Sequence, residues 1–151
     1  MSWWKKILLI LVVIILILSL FTLYLAQSTK PEKITYGMSF NVMYAKELSL
    51  DWKETYDAIL TDLGVRHLRL AAHWPMVEPE AGNYNFSELD YQVEKAELVG
   101  ADVVLAVGRR LPRWPECHVP DWAKNLSQDE RNEAQIAYMT QVVERYKDNK
   151  A

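Results

Sequence analysis

The hydrophobic pattern divides the chain into an apolar N-terminal segment and a longer region of mixed character. Residues 7–26 form a run of twenty without a charge, and the short polar stretch 27–33 (QSTKPEK) follows as a linker. From residue 34 onward, short apolar strands alternate with amphipathic helices. Such alternation predicts a parallel sheet with helices packed outside it. The chain is therefore predicted to carry an α/β domain over residues 34–151.

Three strand–helix units are predicted within this domain. The strands are expected at 34–41, 66–72 and 102–107. The spacing of apolar residues supports the third helix, through Ala134, Ile136, Met139, Val143 and Tyr146. Each helix begins near a capping residue with an acid three residues later, which is the pattern of a capping box. These pairs are Asp51 with Glu54, Ser87 with Asp90 and Ser127 with Glu130.

The second strand has one apolar face and one polar face. Successive strand residues point to opposite sides, so Leu68 and Leu70 share one face and Arg69 and His73 share the other. The leucines are expected to pack against helices, which turns Arg69 toward the axis of a barrel. An arginine buried there needs a paired charge, and the three strands hold no inward carboxylate. Its partner is therefore expected in sequence outside this chain, unless Arg69 lies at a solvated edge.

Polar and aromatic side chains gather where the strands end. Asn41 ends the first strand, His73 and Trp74 follow the second, and Arg109 and Arg110 follow the third. A β/α barrel binds its ligand at the carboxyl ends of its strands. These residues are therefore candidates for binding a polar ligand.

Residues 67–108 carry a longer motif. They read HLRLAAHWPMVEPEAGNYNFSELDYQVEKAELVGADVVLAVG, and the part W-x-x-V-E-P-x-x-G-x-Y-x-F-x-x-L-D begins at Trp74. This sequence resembles the second and third β/α units of clan A retaining glycoside hydrolases, especially the family 42 β-galactosidases and family 5 cellulases. The resemblance covers roughly residues 34–150. It implies that the chain holds the first three units of a (β/α)8 TIM barrel, which the apolar run 7–26 precedes as one transmembrane helix.

The resemblance also implies roles for individual residues. Arg69 matches an arginine that supports the nucleophile carboxylate of the family, and Glu78 matches a structural position in the turn motif. Trp114 and Trp122 would be either aromatic platforms for a sugar ring or packing residues of their loop. The candidate substrate-binding residues are Arg69, His73, Trp74, Arg109, Arg110, Trp114 and His118.

The catalytic residues of the family are expected to lie outside this chain. The acid/base glutamate ends the fourth strand of such barrels and the nucleophile glutamate ends the seventh, whereas this chain ends after its third predicted helix. A complete barrel needs roughly 250 residues. The chain is therefore expected to be inactive by itself, as a truncated gene product or an incomplete sequence, and whether to count it as an enzyme stays open. No cofactor or metal site is expected, since Cys117 and His118 are adjacent and poorly spaced for ligation.

The apolar run 7–26 is expected to be a transmembrane helix. Twenty residues span about 30 Å as a helix. Lys5 and Lys6 precede the run, which favours placing the N-terminal residues 1–6 in the cytoplasm. The alternative is a signal peptide cleaved near Ala26-Gln27-Ser28. In either case the α/β domain would be extracytoplasmic, either membrane-anchored or secreted.

Charge and composition narrow the partners. The formal net charge is −3 without a basic stripe, so nucleic acid is not an expected partner. The expected partners are a carbohydrate substrate and the membrane, through the N-terminal helix. Two alternatives remain open: a non-catalytic, membrane-anchored carbohydrate-binding or cell-surface protein on a TIM-barrel scaffold, and a small membrane protein with an unrelated α/β domain.

Overall fold

The structure is a computed structural model that describes residues 2–28, 34–111 and 117–151. It contains two compact units, Met1–Thr35 and Tyr36–Ala151. The first unit holds helix α1, Trp3–Ser28, which includes the first two residues of the predicted linker. Within α1, the 24 residues Trp3–Ala26 are long and apolar enough to cross a membrane, a property that signal sequences share.

The second unit is a three-stranded parallel sheet with helices. The strand order is β1-β2-β3, and the register pairs Leu68 with Val103. This architecture confirms the predicted α/β class and the three strand–helix units. The elements are β1 Met38–Ser39, α2 Val42–Glu47, α3 Trp52–Thr61, β2 His67–His73, α4 Trp74–Val77, α5 Ser87–Leu98, β3 Asp102–Gly108, α6 Asp121–Lys124 and α7 Gln128–Tyr146.

The sheet has one face covered by helices and one open face. Leu68 and Leu70 are buried in the core, as their alternation predicted. On the opposite face Arg69 is exposed, and Val104 of β3 is 67% exposed. We call this open side of the sheet the inner face, because it is the side that a closed barrel would enclose.

Two of the three predicted capping residues begin their helices, and one of these two forms the complete capping box. Asp51 Oδ1 accepts hydrogen bonds from the backbone amides of residues 53 and 54, and Ser127 forms a reciprocal capping box with Glu130. The third differs, because Ser87 is already inside α5 and donates its backbone N–H to Asn85 Oδ1. The acid expected to complete that box, Asp90, instead joins α5 to α7.

The clamp between α5 and α7 is an ion pair with an added hydroxyl. Two guanidinium nitrogens of Arg145, Nε and Nη2, donate to the carboxylate of Asp90 at 2.7 and 2.6 Å. The hydroxyl of Tyr146 donates to the same carboxylate at 2.7 Å. Burial acts to raise the pKa of Asp90, but the hydrogen bonds from Arg145 and Tyr146 outweigh it and hold the pKa below its ordinary value. The clamp therefore favours an ionised Asp90 in the folded state.

Three features differ from the sequence prediction. The first strand spans only Met38–Ser39, much less than 34–41. At its end Asn41 leaves the sheet and caps α2 by accepting a 3.0 Å hydrogen bond from the Tyr44 N–H. The short helices α2, α4 and α6 were not predicted. In α7 the buried residues are Tyr138 and Val142, neither of which was named from the sequence. Of the residues named there, Ala134, Met139 and Tyr146 pack against the core, whereas Ile136 and Val143 are 64% and 54% exposed.

Candidate functional site

Arg69 lies on the inner face, where the sequence predicted it. Its Nε donates to Ser39 Oγ across the β1–β2 pair at 2.9 Å. None of the ion pairs found within the described ranges involves Arg69. Gly37 allows the close approach of the two strands, because a Cβ there would lie 2.7 Å from the carbonyl oxygen of His67. Arg69 thus presents the remaining guanidinium N–H groups along an open surface.

His73 is buried at the end of β2 and packs edge-to-face against His118. The ring centroids are 4.6 Å apart, and His73 is only 1% exposed. Neither ring nitrogen of His73 has a hydrogen-bond partner among the residues that the structure describes. Burial, and secondly the proximity of His118, lower its pKa to about 4, while the nearby Ala71 carbonyl acts weakly in the opposite direction without completing a hydrogen bond. His73 is therefore a neutral imidazole at pH 7.

Trp74 is a core residue. It is fully buried, its ring stacks on Tyr138 at 5.5 Å, and its Nε1 donates to Glu78 Oε2 at 2.7 Å. Trp122 packs edge-on against the same ring, with centroids 5.7 Å apart. The sugar contact expected for Trp74 therefore has no accessible ring face, because both sides of the indole are covered by the fold.

Glu78 organises the turn that follows β2. Its carboxylate is 3% exposed and also accepts the Gly82 N–H at 2.8 Å, while its backbone carbonyl accepts Trp122 Nε1 at 3.1 Å. Gly82 has a φ of +74°, which favours glycine at this turn. These bonds confirm the structural position predicted for Glu78. They also favour packing over a platform role for Trp122.

The residues after β3 lie at the same edge of the sheet as His73. Arg109 is half-buried and Arg110 is exposed, and the Arg109 carbonyl accepts the His118 N–H at 2.9 Å. This bond brings the two ends of the loop together. Trp114 lies outside the described residues. No group of three or more metal-ligating side chains occurs within the described ranges.

Tyr138 was not identified as a site-forming residue from the sequence. Its hydroxyl donates to the Ala72 carbonyl and accepts the Gly108 N–H at 3.3 Å, so it bridges the ends of β2 and β3. Burial raises its pKa to about 12, against a weaker opposing effect of the Gly108 N–H. The hydroxyl therefore stays protonated. The helical spacing of Tyr138 and Val142 indicates an apolar stripe on α7, but it does not indicate that this stripe faces the sheet.

Comparison with known proteins gives a family match over most of this unit. The glycoside hydrolase 42 family model, described as beta-galactosidase, matches residues 46–151. Beta-galactosidase LacZ of Lactobacillus acidophilus is 34% identical over an alignment of 94 positions, which covers 51% of this chain and 14% of the relative. Beta-galactosidase LacA of the same species matches with the same values. The chain thus spans about one seventh of the length of these relatives.

Solved structures of similar fold are larger β/α-barrel glycosidases. A beta-galactosidase from the haloarchaeon Halorubrum lacusprofundi superposes with a TM-score of 0.52 and 23% identity, over 76% of this chain and 20% of its own. Xylanase 10B from Thermotoga petrophila superposes with a TM-score of 0.51 and 18% identity, over 73% of this chain and 32% of its own. The exo-beta-1,4-mannosidase Op5Man5 from an Opitutaceae bacterium superposes with a TM-score of 0.51 and 19% identity, over 72% of this chain and 22% of its own. The fold confirms the predicted part of a TIM barrel, and the match over residues 46–151 shows that the chain belongs to glycoside hydrolase family 42, the beta-galactosidase family.

Proposed function

We propose that this chain is the N-terminal part of a membrane-anchored, extracytoplasmic glycoside hydrolase that cleaves β-linked carbohydrates. The observation that carries the proposal is Arg69, which projects from the inner face of a family 42 barrel segment with guanidinium N–H groups available. In this proposal the three strands supply one side of the sugar cleft. The chain supports the reaction and does not itself perform the bond cleavage.

Arg69 is proposed to hold the nucleophile carboxylate of the complete barrel. Retaining hydrolysis uses two carboxyl groups about 5–5.5 Å apart, one as the nucleophile and one as the acid/base. A guanidinium presents a fork of N–H donors that matches a carboxylate and keeps it ionised. Ser39 occupies Nε, so the fork keeps its terminal nitrogens for that carboxylate. This arrangement would orient the nucleophile and keep its pKa low.

The residues after β3 are proposed to bind sugar hydroxyls. Arg109 and Arg110 sit at the strand end where barrels bind ligands, with half-buried and exposed side chains respectively. The contact of His118 with His73 supports the backbone from which Arg109 projects. Trp114 stays a candidate stacking platform. β-Galactosides are the first substrates to test, since both Lactobacillus relatives bear the name beta-galactosidase.

The N-terminal helix is proposed to place the domain outside the cytoplasm. The apolar helix Trp3–Ala26, with Lys5 and Lys6 at its start, supports this orientation by the positive-inside rule. Mass spectrometry of the N-terminus from a membrane fraction distinguishes an anchor from a cleaved signal. Retention of residue 1 or 2 indicates an anchor, and a start near residue 27 indicates secretion.

The decisive experiment is hydrolysis by the protein expressed with its complete downstream coding sequence. We expect that protein to release 4-nitrophenol from 4-nitrophenyl β-D-galactoside. The 151-residue chain should release no more 4-nitrophenol than buffer alone. Arg69→Ala should lower kcat at least about a hundredfold, as expected when a charge-assisted contact to the reacting group is lost. Arg66→Ala is the control directly before the same strand, since the Arg66 guanidinium donates to the carbonyls of Leu60 and Val65.

Two results would contradict the proposal. One is hydrolysis by the 151-residue chain alone, which would require a catalytic pair inside it. The other is a complete protein that binds sugar but lacks the fourth-strand and seventh-strand glutamates, which would favour the non-catalytic carbohydrate-binding alternative.

A further inference from the structure

A cavity of about 210 Å³ lies beside β2 where β1 has ended. The last backbone contact on that side is the Phe40 N–H to the Arg69 carbonyl, at 3.0 Å. The chain then turns into α2 at Val42, so Ala71 to His73 have no strand beside them there. The cavity occupies this gap, between the edge of β2, helix α2 and the first turns of α5.

The walls of the cavity are polar at points that the fold leaves unsatisfied. Glu88 Oε2 is buried and has no hydrogen-bond partner within the described part of the chain. Its other oxygen accepts from Lys46 Nζ at 2.5 Å. Gln92 is only 2% exposed, and its Nε2 donates to the Glu88 carbonyl. The buried ring of His73, whose nitrogens also lack described partners, forms part of another wall.

Unsatisfied buried polar atoms are costly, and such groups in native proteins normally bind a ligand or water. The cavity combines the acceptors Glu88 and Gln92 with the donor Lys46, over an apolar wall that includes Val77 and Leu89. Alternating donors and acceptors beside an apolar surface suit a molecule with several hydroxyl groups on a carbon ring. A charged ligand fits less well, because Lys46 and Glu88 already neutralise each other.

The volume sets the size of the ligand. An apolar cavity of about 150 Å³ admits benzene, and drug-sized ligands need about 300–1,000 Å³. A cavity of about 210 Å³ lies between these limits and is suited to one substituted six-membered ring. We infer that this cavity is an accessory binding site for a single sugar ring, lined by the edge of β2 and by helices α2 and α5, and not by Arg69. The choice of a sugar, as opposed to another polyol, rests on the proposed function.

Binding can be measured on the whole chain in lipid nanodiscs, which avoids sugar-based detergents. Saturation-transfer NMR with D-galactose is expected to show saturable binding. Cyclohexanol, a ring of similar size with one hydroxyl, should not compete. Glu88→Gln and Gln92→Met should each weaken galactose binding about three- to tenfold, the effect of losing one hydrogen bond. The matched controls are Glu94→Gln on the exposed side of α5 and Gln141→Met on exposed α7, which should bind as the parent chain does.

The outcomes separate this inference from the proposed function. Absence of galactose binding by a chain with native circular dichroism would overturn the accessory site, as would equal binding of cyclohexanol or unchanged binding by both cavity variants. Galactose binding at the cavity in a complete protein that hydrolyses nothing would retain the site and reject the hydrolase. Hydrolysis with no cavity binding would do the reverse.

Discussion

The buried, neutral His73 makes the stability of the α/β unit depend on pH in a defined window. Burial lowers the pKa of this imidazole from 6.5 to about 4, with His118 adding to the effect. The unfolded chain therefore binds a proton at His73 between these two pH values, and the folded chain does not. Stability is fully present above about pH 6.5 and is lost as the pH falls toward 4.

The size of the effect follows from the pKa difference. A pKa difference of about 2.5, at about 1.4 kcal/mol for each pKa unit, corresponds to about 3–4 kcal/mol. Solvent screens this free-energy difference little, because His73 is only 1% exposed. The free energy of unfolding of domains of this size is about 5–15 kcal/mol, so this loss is a large share of the total stability. Carboxylates with lowered pKa, such as Asp90, act at lower pH, because they lose their contribution only below their ordinary value of 3.8.

The assay is urea unfolding of the chain in nanodiscs, followed by tryptophan fluorescence at several pH values between 7 and 4. His73→Phe keeps an aromatic ring without the titrating group and should remove most of the slope between pH 6.5 and 4. His73→Gln provides a second non-titrating variant if phenylalanine does not fit. His67→Phe is the control on the same strand, since His67 is half-exposed and paired with Asp102. An unchanged slope in both folded His73 variants would refute the assignment to this imidazole.

Three further substitutions test the packing around the strand ends by urea unfolding. Trp74→Ala should cost about 3–5 kcal/mol, because it opens a core cavity and removes the indole N–H from the buried Glu78; a loss below about 1 kcal/mol would contradict the buried assignment. Tyr138→Phe should cost about 1–3 kcal/mol by leaving a buried carbonyl of β2 unpaired, and a stabilised variant would contradict the bridge. Gly37→Ala should destabilise the β1–β2 pair, since its Cβ would lie 2.7 Å from a carbonyl oxygen, and an unchanged free energy of unfolding would contradict this close approach.

Much of the fold follows from local pattern. Alternation places Leu68 and Leu70 in the core and Arg69 on the inner face, because a strand that is covered on one side must separate apolar from polar residues. Asp51 and Ser127 begin their helices as capping chemistry predicts. These features depend only on neighbours within a few positions of the sequence.

The features that the pattern missed depend on competition or on distant contacts. The alternation of 34–41 would suit a strand throughout, but Asn41 forms a helix cap and the strand ends early. In α7, one apolar stripe contains Tyr138 and Val142 and another contains Ile136 and Val143. Periodicity establishes that both stripes exist. Only the contact of Tyr138 with the sheet, across 66 positions, determines which of them is buried.

The cluster of polar and aromatic residues at the strand ends therefore contains two kinds of residue. Trp74 donates a hydrogen bond to Glu78, four positions later, and both side chains are buried. They therefore shape the turn and offer little surface to a ligand. Arg69 and Arg110 remain accessible, and a guanidinium cannot be left buried without a partner. An aromatic residue at a strand end is thus a weak indication of sugar contact when a carboxylate follows one helical turn later. An arginine on the inner face that makes no ion pair within the described residues is the stronger indication of a site, because its terminal guanidinium nitrogens stay available.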